Sequence, residues 1–368
     1  MGEKIMMKGT EAVAEAALRA GCRFFAGYPI TPQNEMPEYM ARKLPQLGGV
    51  FIQGESEIAS VNMVYGAAAA GVRCMTSSSS CGISLKSEGI SFLAGARLPS
   101  VIANFQRGGP GIGSIQPAQQ DYIQATKASG NGGFRMLVFA PATLQEAVDM
   151  TYRAFELADK YRNPVYLLLD GFLGTMMEPV ELPEALSEEE LARIRAEKTW
   201  AARGNRGGEP HSILCGPGLS STLDQQTLNI RDAEMYARWE ESEQEYEALF
   251  TEDAELIITA YGISGRIAKS AVSILRREGY PVGLIRPLKV NPFPVEAYER
   301  LDFSRLKGVL SAEMSIPAQF AVDVKHALCA RAPLYTVLSS GGSILERERI
   351  IEDARAIFND PNKEVGRI

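Results

Sequence analysis

Histidine is nearly missing from this 368-residue chain: His211 and His326 are the two present, far apart in sequence. A Ser-His-Asp triad or a histidine-based metal site is thereby disfavoured. The five cysteines (Cys22, Cys74, Cys81, Cys215 and Cys329) are odd in number and widely spaced. None forms C-x-x-C, so no disulfide framework, zinc site or iron–sulfur cluster is encoded, and no metal ligands are assigned. No apolar run reaches the roughly 18–20 residues of a membrane helix. A net charge of −7 supplies no basic face for nucleic acid. The opening MGEKIMMKGTEA carries Glu3, Lys8 and Glu11 where a signal peptide would have an apolar core, so a cytoplasmic location is expected. Two glycine-rich turns, GGPGIG (108–113) and GISG (262–265), match neither the dinucleotide fingerprint nor a phosphate-binding loop. Chemistry on this chain must rest on carboxylates, arginine, hydroxyls or a cofactor.

What is present is the material of an ordinary globular protein, 45% hydrophobic and 23% charged. The length suggests two or three domains and a core that needs no staples. Helical periodicity over 10–20 ends at Gly21, and strands are expected at 23–26, 50–53, 73–76, 99–104, 136–140 and 164–169. Helices are expected at 58–70, 84–94 and 144–160. This alternation predicts a parallel sheet with helices on both faces over 1–180. Residues 181–251 turn acidic, then Gly- and Arg-rich (ARGNRGGEPHS), then charged and helical over 232–250, and read as a linker or arm. A second α/β unit is expected over 252–368, with strands at 255–261, 281–285, 308–311 and 334–338 and helices at 267–278, 316–330 and 346–358.

Glu55 and Glu57 stand where a strand gives way to a helix of small residues, IASVNMVYGAAAAG. Two positions apart in extended chain, they share a face. Either could instead stabilise the helix start. Thr31 precedes Pro32, a pattern for a helix cap followed by its first residue. Arg107 ends a buried strand, where a salt bridge is the plain structural role. Asp170 in LLLDG suits capping of the next turn. Ser77–Gly82 offers hydroxyls after a strand, but no histidine to activate one. Cys81 reads as a packed thiol.

GYPITP (27–32), ESEIASVNMVYGAAAAG (55–71), TSSSSCGISL (76–85), QRGGPGIG (106–113), LLLDGFLG (167–174) and LIRPLKVNPFP (284–294), in this order, resemble the 2-oxoacid:ferredoxin oxidoreductases. The resemblance covers nearly the whole chain and is vaguest over 181–251. It points to the alpha subunit of the multi-subunit form, most similar to the branched-chain, 3-methyl-2-oxobutanoate branch through NMVYGAAAAG, RGGPGIGSIQP and QQDYIQATKASGNGG. The implied fold is a thiamine diphosphate pyrimidine-binding domain followed by a transketolase C-terminal-like domain, both doubly wound parallel sheets.

The resemblance implies a role for each matching residue. Glu57, fourteen positions before Gly71, matches the Glu that hydrogen-bonds the pyrimidine N1′ of thiamine diphosphate and favours its imino tautomer; Glu55 is the alternative. Arg107 matches an Arg near the 2-oxoacid carboxylate, and Thr31 a hydroxyl at the substrate. Pro29, Ile30 and Ser79 match cofactor-binding positions, and Gln106 a pocket position. No G-D-G…N motif for Mg2+ and diphosphate is present, and no cluster cysteines. Those parts, with iron–sulfur clusters, are expected on a beta subunit, with gamma and ferredoxin-like delta subunits completing the complex. The expected reaction joins 2-oxoacid, coenzyme A and oxidised ferredoxin. Ile112 and Ile115 follow Arg107 with no further cation until Lys127, which favours a branched apolar substrate over 2-oxoglutarate, the alternative substrate. A non-catalytic assembly subunit with the same fold is the alternative of another class.

Overall fold

The computed structural model describes residues 4–205, 209–216 and 224–359. Glu3 of the charged opening, 206–208 of the Gly/Arg-rich stretch and 360–368 of the second unit lie outside the described residues. The chain begins with strand β1 (Lys4–Lys8) and helix α1 (Gly9–Arg19), then β2 (Phe24–Gly27), α2 (Glu35–Lys43), β3 (Val50–Gln53) and α3 (Glu57–Ala69). It continues with β4 (Cys74–Ser78), α4 (Cys81–Gly95), β5 (Ser100–Gly108), β6 (Ser114–Pro117) and α5 (Tyr122–Thr126). There follow β7 (Leu137–Phe139), α6 (Leu144–Tyr161), β8 (Pro164–Asp170), α7 (Gly171–Thr175) and β9 (Met177–Glu181).

Strands β3-β2-β4-β5-β8-β7 form one parallel sheet in that order. Side chains alternate across it, as the pleat requires. Val101, Ala103 and Phe105 of β5 join Val13 of α1, Met36 of α2 and Phe155 of α6 in one core. Ile102 points the other way, into a core with Val61 of α3 and Ile83 of α4. Helices on both faces are what the strand–helix alternation predicts. Helix α2 is an element that periodicity alone does not flag, because Pro37 interrupts the pattern. Pro37 is in its first turn, where a missing N–H costs nothing.

Helices α8 (Glu188–Glu197) and α9 (Gln225–Ser242) occupy the 181–251 segment. The helix expected at 232–250 instead spans α9, and the chain then extends as β10 (Tyr246–Leu249). Next come β11 (Leu256–Thr259), α10 (Gly262–Arg277), β12 (Val282–Pro287), β13 (Lys289–Asn291) and α11 (Val295–Glu299). The chain ends with β14 (Gly308–Glu313), α12 (Phe320–Leu328), β15 (Leu334–Leu338) and α13 (Arg347–Asn359). The second sheet runs β10-β12-β11-β14-β15, parallel except for β10.

Two edge strands join segments across the chain's divisions, one from the arm and one from the second unit. β10 pairs antiparallel with β12 of the second sheet, while β13 pairs antiparallel with β7 of the first. Aromatic rings of Tyr122, Tyr261 and Phe320 meet at 5.2–5.6 Å between centroids and join the two cores. Gln119, fully buried, is satisfied across this junction: its amide donates to Tyr261 O at 2.9 Å and its oxygen accepts from Ser264 Oγ at 2.7 Å and Met314 N at 3.1 Å.

Candidate active site at the carboxyl edge of the first sheet

In a parallel sheet every strand leaves at the same edge, so the segments after β2, β3, β4, β5 and β8 converge. The connection from β2 leads to β3 on one side, and the next strand, β4, pairs on the other. Such a reversal of strand order opens a crevice at the carboxyl edge. Thr31, Glu57, Ser79, Arg107 and Asp170 all follow or end strands at that edge.

Ser56 caps α3 by accepting from Ala59 N at 3.1 Å, and Glu57 is the first helical residue. The capping role is therefore filled by serine, and the Glu57 carboxylate is left for other work. Glu57 is 6% exposed, whereas Glu55 lies on the surface with its carboxylate bonded to Ser56 Oγ at 2.7 Å. The two do not share a face, because the chain turns into helix between them. The start of α4 closes over Glu57. A Cβ added at Gly82 would lie 2.7 Å from Glu57 Oε1 and 2.1 Å from Ser78 Oγ. Glycine at 82 is what lets the two helix starts approach this closely.

Beside the carboxylate, Ser78 Oγ is buried with no hydrogen-bond partner in the chain, and along the same sheet edge Ser79 Oγ and Arg107 Nε are buried and unpartnered too. Groups of this kind are normally satisfied. They suit a polar heterocycle with its own donors and acceptors.

Thr31 does not cap a helix. α2 begins four residues later, at Glu35, because 31–34 form a turn. The Thr31 carbonyl instead accepts from Arg107 Nη1 at 3.1 Å, so these two residues meet. Arg107 Nη2 also donates to Cys81 Sγ and to Ile112 O, both at 3.1 Å. Among the described residues no carboxylate lies within ion-pair distance of Arg107, so the salt bridge of its plain structural role is not made. Pro29 is exposed and Ile30 half-buried beside Thr31. Asp170 caps α7 through Leu173 N at 3.0 Å and also accepts from Ile263 N of α10 at 3.0 Å. Burial pushes its carboxyl up to about 6. His211 and His326 are exposed and outside the site.

Arg107 is held in place by Ser80 of the Ser77–Gly82 run together with Asn104 and Asp121, which sequence reasoning missed. Ser80 adopts a left-handed φ of 31°, a strained backbone for serine. Its amide donates to Asn104 Oδ1 at 2.9 Å, and its hydroxyl donates to Asp121 Oδ2 at 2.6 Å and accepts from Arg107 N at 2.9 Å. Asp121 also accepts from Asn104 Nδ2 at 2.9 Å, and burial raises its carboxyl above the ordinary range. No local pattern marks this network, since its members are 17–41 positions apart. Lys86, fully buried on α4, was likewise unsignalled.

A doubly wound parallel sheet with a buried carboxylate beside orphaned hydroxyls, where its strand order reverses, marks the molecule as a cofactor-dependent α/β enzyme component. The chain belongs to the 2-oxoacid:ferredoxin oxidoreductase family. The profile described as "Pyruvate flavodoxin/ferredoxin oxidoreductase, thiamine diP-bdg" matches residues 15–248, and that of "Pyruvate:ferredoxin oxidoreductase core domain II" matches 254–350. The chain is 45% identical to the ketoisovalerate oxidoreductase subunit VorB of Methanothermobacter thermautotrophicus, over 96% of this chain and 98% of that one. It is 34% identical to the 2-oxoglutarate synthase subunit KorA of Methanocaldococcus jannaschii, over 95% of this chain and 98% of that one. In fold it is similar to the 2-oxoglutarate:ferredoxin oxidoreductase from Magnetococcus marinus, solved with 2-oxoglutarate, coenzyme A and succinyl-CoA bound (TM-score 0.76, 24% identity). That match covers 96% of this chain and 65% of that one. A split-gene transketolase shares the fold at a TM-score of 0.58 and 15% identity, over 96% of this chain and 98% of that one.

Proposed function

We propose that the chain is the alpha subunit of a 3-methyl-2-oxobutanoate:ferredoxin oxidoreductase, with Glu57 as the carboxylate that serves the thiamine pyrimidine. The observation that carries this is the Glu57 side chain, 6% exposed, enclosed by Gly82 and next to the orphaned Ser78 hydroxyl. Thiamine diphosphate, when bound, supplies the nucleophilic carbon and the electron sink for decarboxylation. Glu57 would hydrogen-bond the pyrimidine ring through its carboxylate. Ser79, Pro29 and Ile30 line the ring's seat. Arg107 binds the 2-oxoacid carboxylate in a two-pronged contact, and Thr31 sets its orientation. Ile112 and Ile115, 84% and 56% exposed, offer apolar surface to an isopropyl group. The similarity to VorB supports the branched-chain acid over 2-oxoglutarate.

In the same reading the diphosphate, Mg2+ and iron–sulfur clusters belong to a beta subunit, with gamma and ferredoxin-like delta subunits in the complex, and coenzyme A and ferredoxin as co-reactants. The apolar side chains Ile58, Met63 and Leu85 of α3 and α4, 36–52% exposed beside Glu57, support a partner subunit on that face. Among the described residues no group of His, Cys, Asp and Glu could hold a metal ion. No helix among them is long and apolar enough to cross a membrane, and a cytoplasmic complex is proposed. The chain divides into a pyrimidine-binding domain (1–180), an arm (181–251) and a transketolase C-terminal-like domain (252–368), with β10 and β13 crossing between them.

The test is Glu57→Gln in the assembled complex. Turnover should fall by roughly 10²–10⁴ with assembly intact, while Glu55→Gln should do little. The reverse pattern would reassign the carboxylate.

A further inference from the structure

Lys86 lies on α4 one helical turn beyond Gly82 and is fully buried. A lysine buried this completely is rare unless its ammonium has a partner. Its Nζ donates to the backbone carbonyl of Glu57 at 3.2 Å. The Glu57 carboxylate is the one titratable group of the described residues that acts on it. Burial pushes the ammonium down to about 8, against the pull of Glu57.

Two observations separate Lys86 from a packing residue. The face of α4 toward α3 is otherwise made for close approach. Gly89 has Val61 Cγ1 2.4 Å from where its Cβ would be, and Gly82 abuts Glu57. A long cationic side chain is out of place there. The positive end of the α3 dipole also disfavours a cation. The compensating charge is Glu57, the acidic residue of that first turn.

Resting on the reading of Glu57 as the cofactor's carboxylate, we propose that Lys86 is a positioning residue that anchors the first turn of α3 and holds the Glu57 carboxylate for the thiamine pyrimidine. It touches no reacting atom. Its hydrogen bond pins the Glu57 backbone and thereby fixes where the carboxylate leaves α3.

The test uses the complete heteromeric enzyme carrying Lys86→Met, Lys86→Arg, Glu57→Gln, or Lys86→Met with Glu57→Gln. Three quantities are read: the thermal midpoint, the dissociation constant of thiamine diphosphate by calorimetry on cofactor-stripped enzyme, and the pH profile of kcat/KM. Lys86→Met leaves the buried Glu57 without its compensating charge and should lower the midpoint, whereas the double variant, which carries neither charge, should stay within a few degrees of the parent. Cofactor affinity and kcat/KM should each drop about tenfold, the order of one lost pairwise interaction. Lys86→Arg should restore part of both. The fall in activity as Lys86 loses its proton near pH 8 should vanish in Lys86→Met. Added to Glu57→Gln, Lys86→Met should cost little more. Should Lys86→Met fail to assemble, Lys86→Gln is held to the same criteria. A Lys86→Met enzyme with unchanged cofactor affinity and pH profile, beside a crippled Glu57→Gln, overturns this assignment alone. A fully active Glu57→Gln overturns both readings.

Discussion

Arg107 carries a full charge among neutral partners. Its guanidinium donates to two carbonyls and a thiol sulfur, and its Nε is buried without a partner in the chain. Held by the Ser80–Asn104–Asp121 network, with no carboxylate of the described residues within ion-pair distance, the guanidinium is poised for an anionic ligand. Arg107→Ala should therefore raise KM for the 2-oxoacid and spare thiamine diphosphate affinity. The lost contact is worth about 1.5–3 kcal/mol, or one to two powers of ten in kcat/KM. Arg107→Lys should recover part of it, since a point charge cannot make a two-pronged contact. Steady-state kinetics with a melting curve checks this. A lower midpoint with unchanged kinetics would reduce Arg107 to a brace at a strand end. The two acidic candidates are decided at this scale too: one turn of backbone puts Glu55 in solvent and Glu57 under α4.

The pairing of α3 and α4 sets the distance between Glu57 and the hydroxyls of 78–79. That distance is set by glycines rather than by large side chains. At Gly89 an added Cβ would fall 2.4 Å from Val61 Cγ1, and backbone forms both helices, so neither side can yield cheaply. Gly89→Ala should cost about 1–3 kcal/mol in urea unfolding and lower turnover by spreading the helix starts. Trimming the opposing side chain, in Gly89→Ala with Val61→Ala, should return much of the turnover. Failure of that rescue would mean the helix spacing does not govern the site. Sequence patterns located α3 and α4 to within a few residues, but not α2, whose Pro37 masks the period, nor β10, which a run of charges presented as helix, nor the short elements β1, β6, α5, α7, β9, β13 and α11, which are too brief to show a period.

At the scale of the whole molecule, Asp170 ties the two sheets together by accepting from Leu173 N of the first unit and Ile263 N of the second. Burial raises its carboxyl from the ordinary 3.8 to about 6, against the pull of those two donors. A folded value above the unfolded one means the native state binds the extra proton. The stability this adds is complete below about pH 4 and is lost as pH rises through about 6. Asp170→Asn is neutral throughout. The stability of the parent relative to this variant should therefore fall by about 2 kcal/mol between pH 4 and pH 7. Denaturant melts at the two pH values measure it. A pH-independent difference would mean that the donors keep Asp170 ionised throughout.

Local sequence was enough for the alternation of strands and helices, and hence for parallel sheets whose functional turns share one edge. The candidate set of Thr31, Glu57, Ser79 and Arg107 came from the resemblance, and strand direction brings those positions to one edge because each lies beside a strand end. What only the tertiary structure decided is the environment of each side chain. The burial of Lys86 against Glu57, the Ser80–Asn104–Asp121 cradle under Arg107, the satisfied Gln119 at the junction and the pairing of β13 with β7 of the first sheet all join residues remote in sequence. Periodicity and capping report on neighbours within a turn or two. Desolvation and hydrogen-bond pairing depend on which distant segment arrives, and the sheet order settles that.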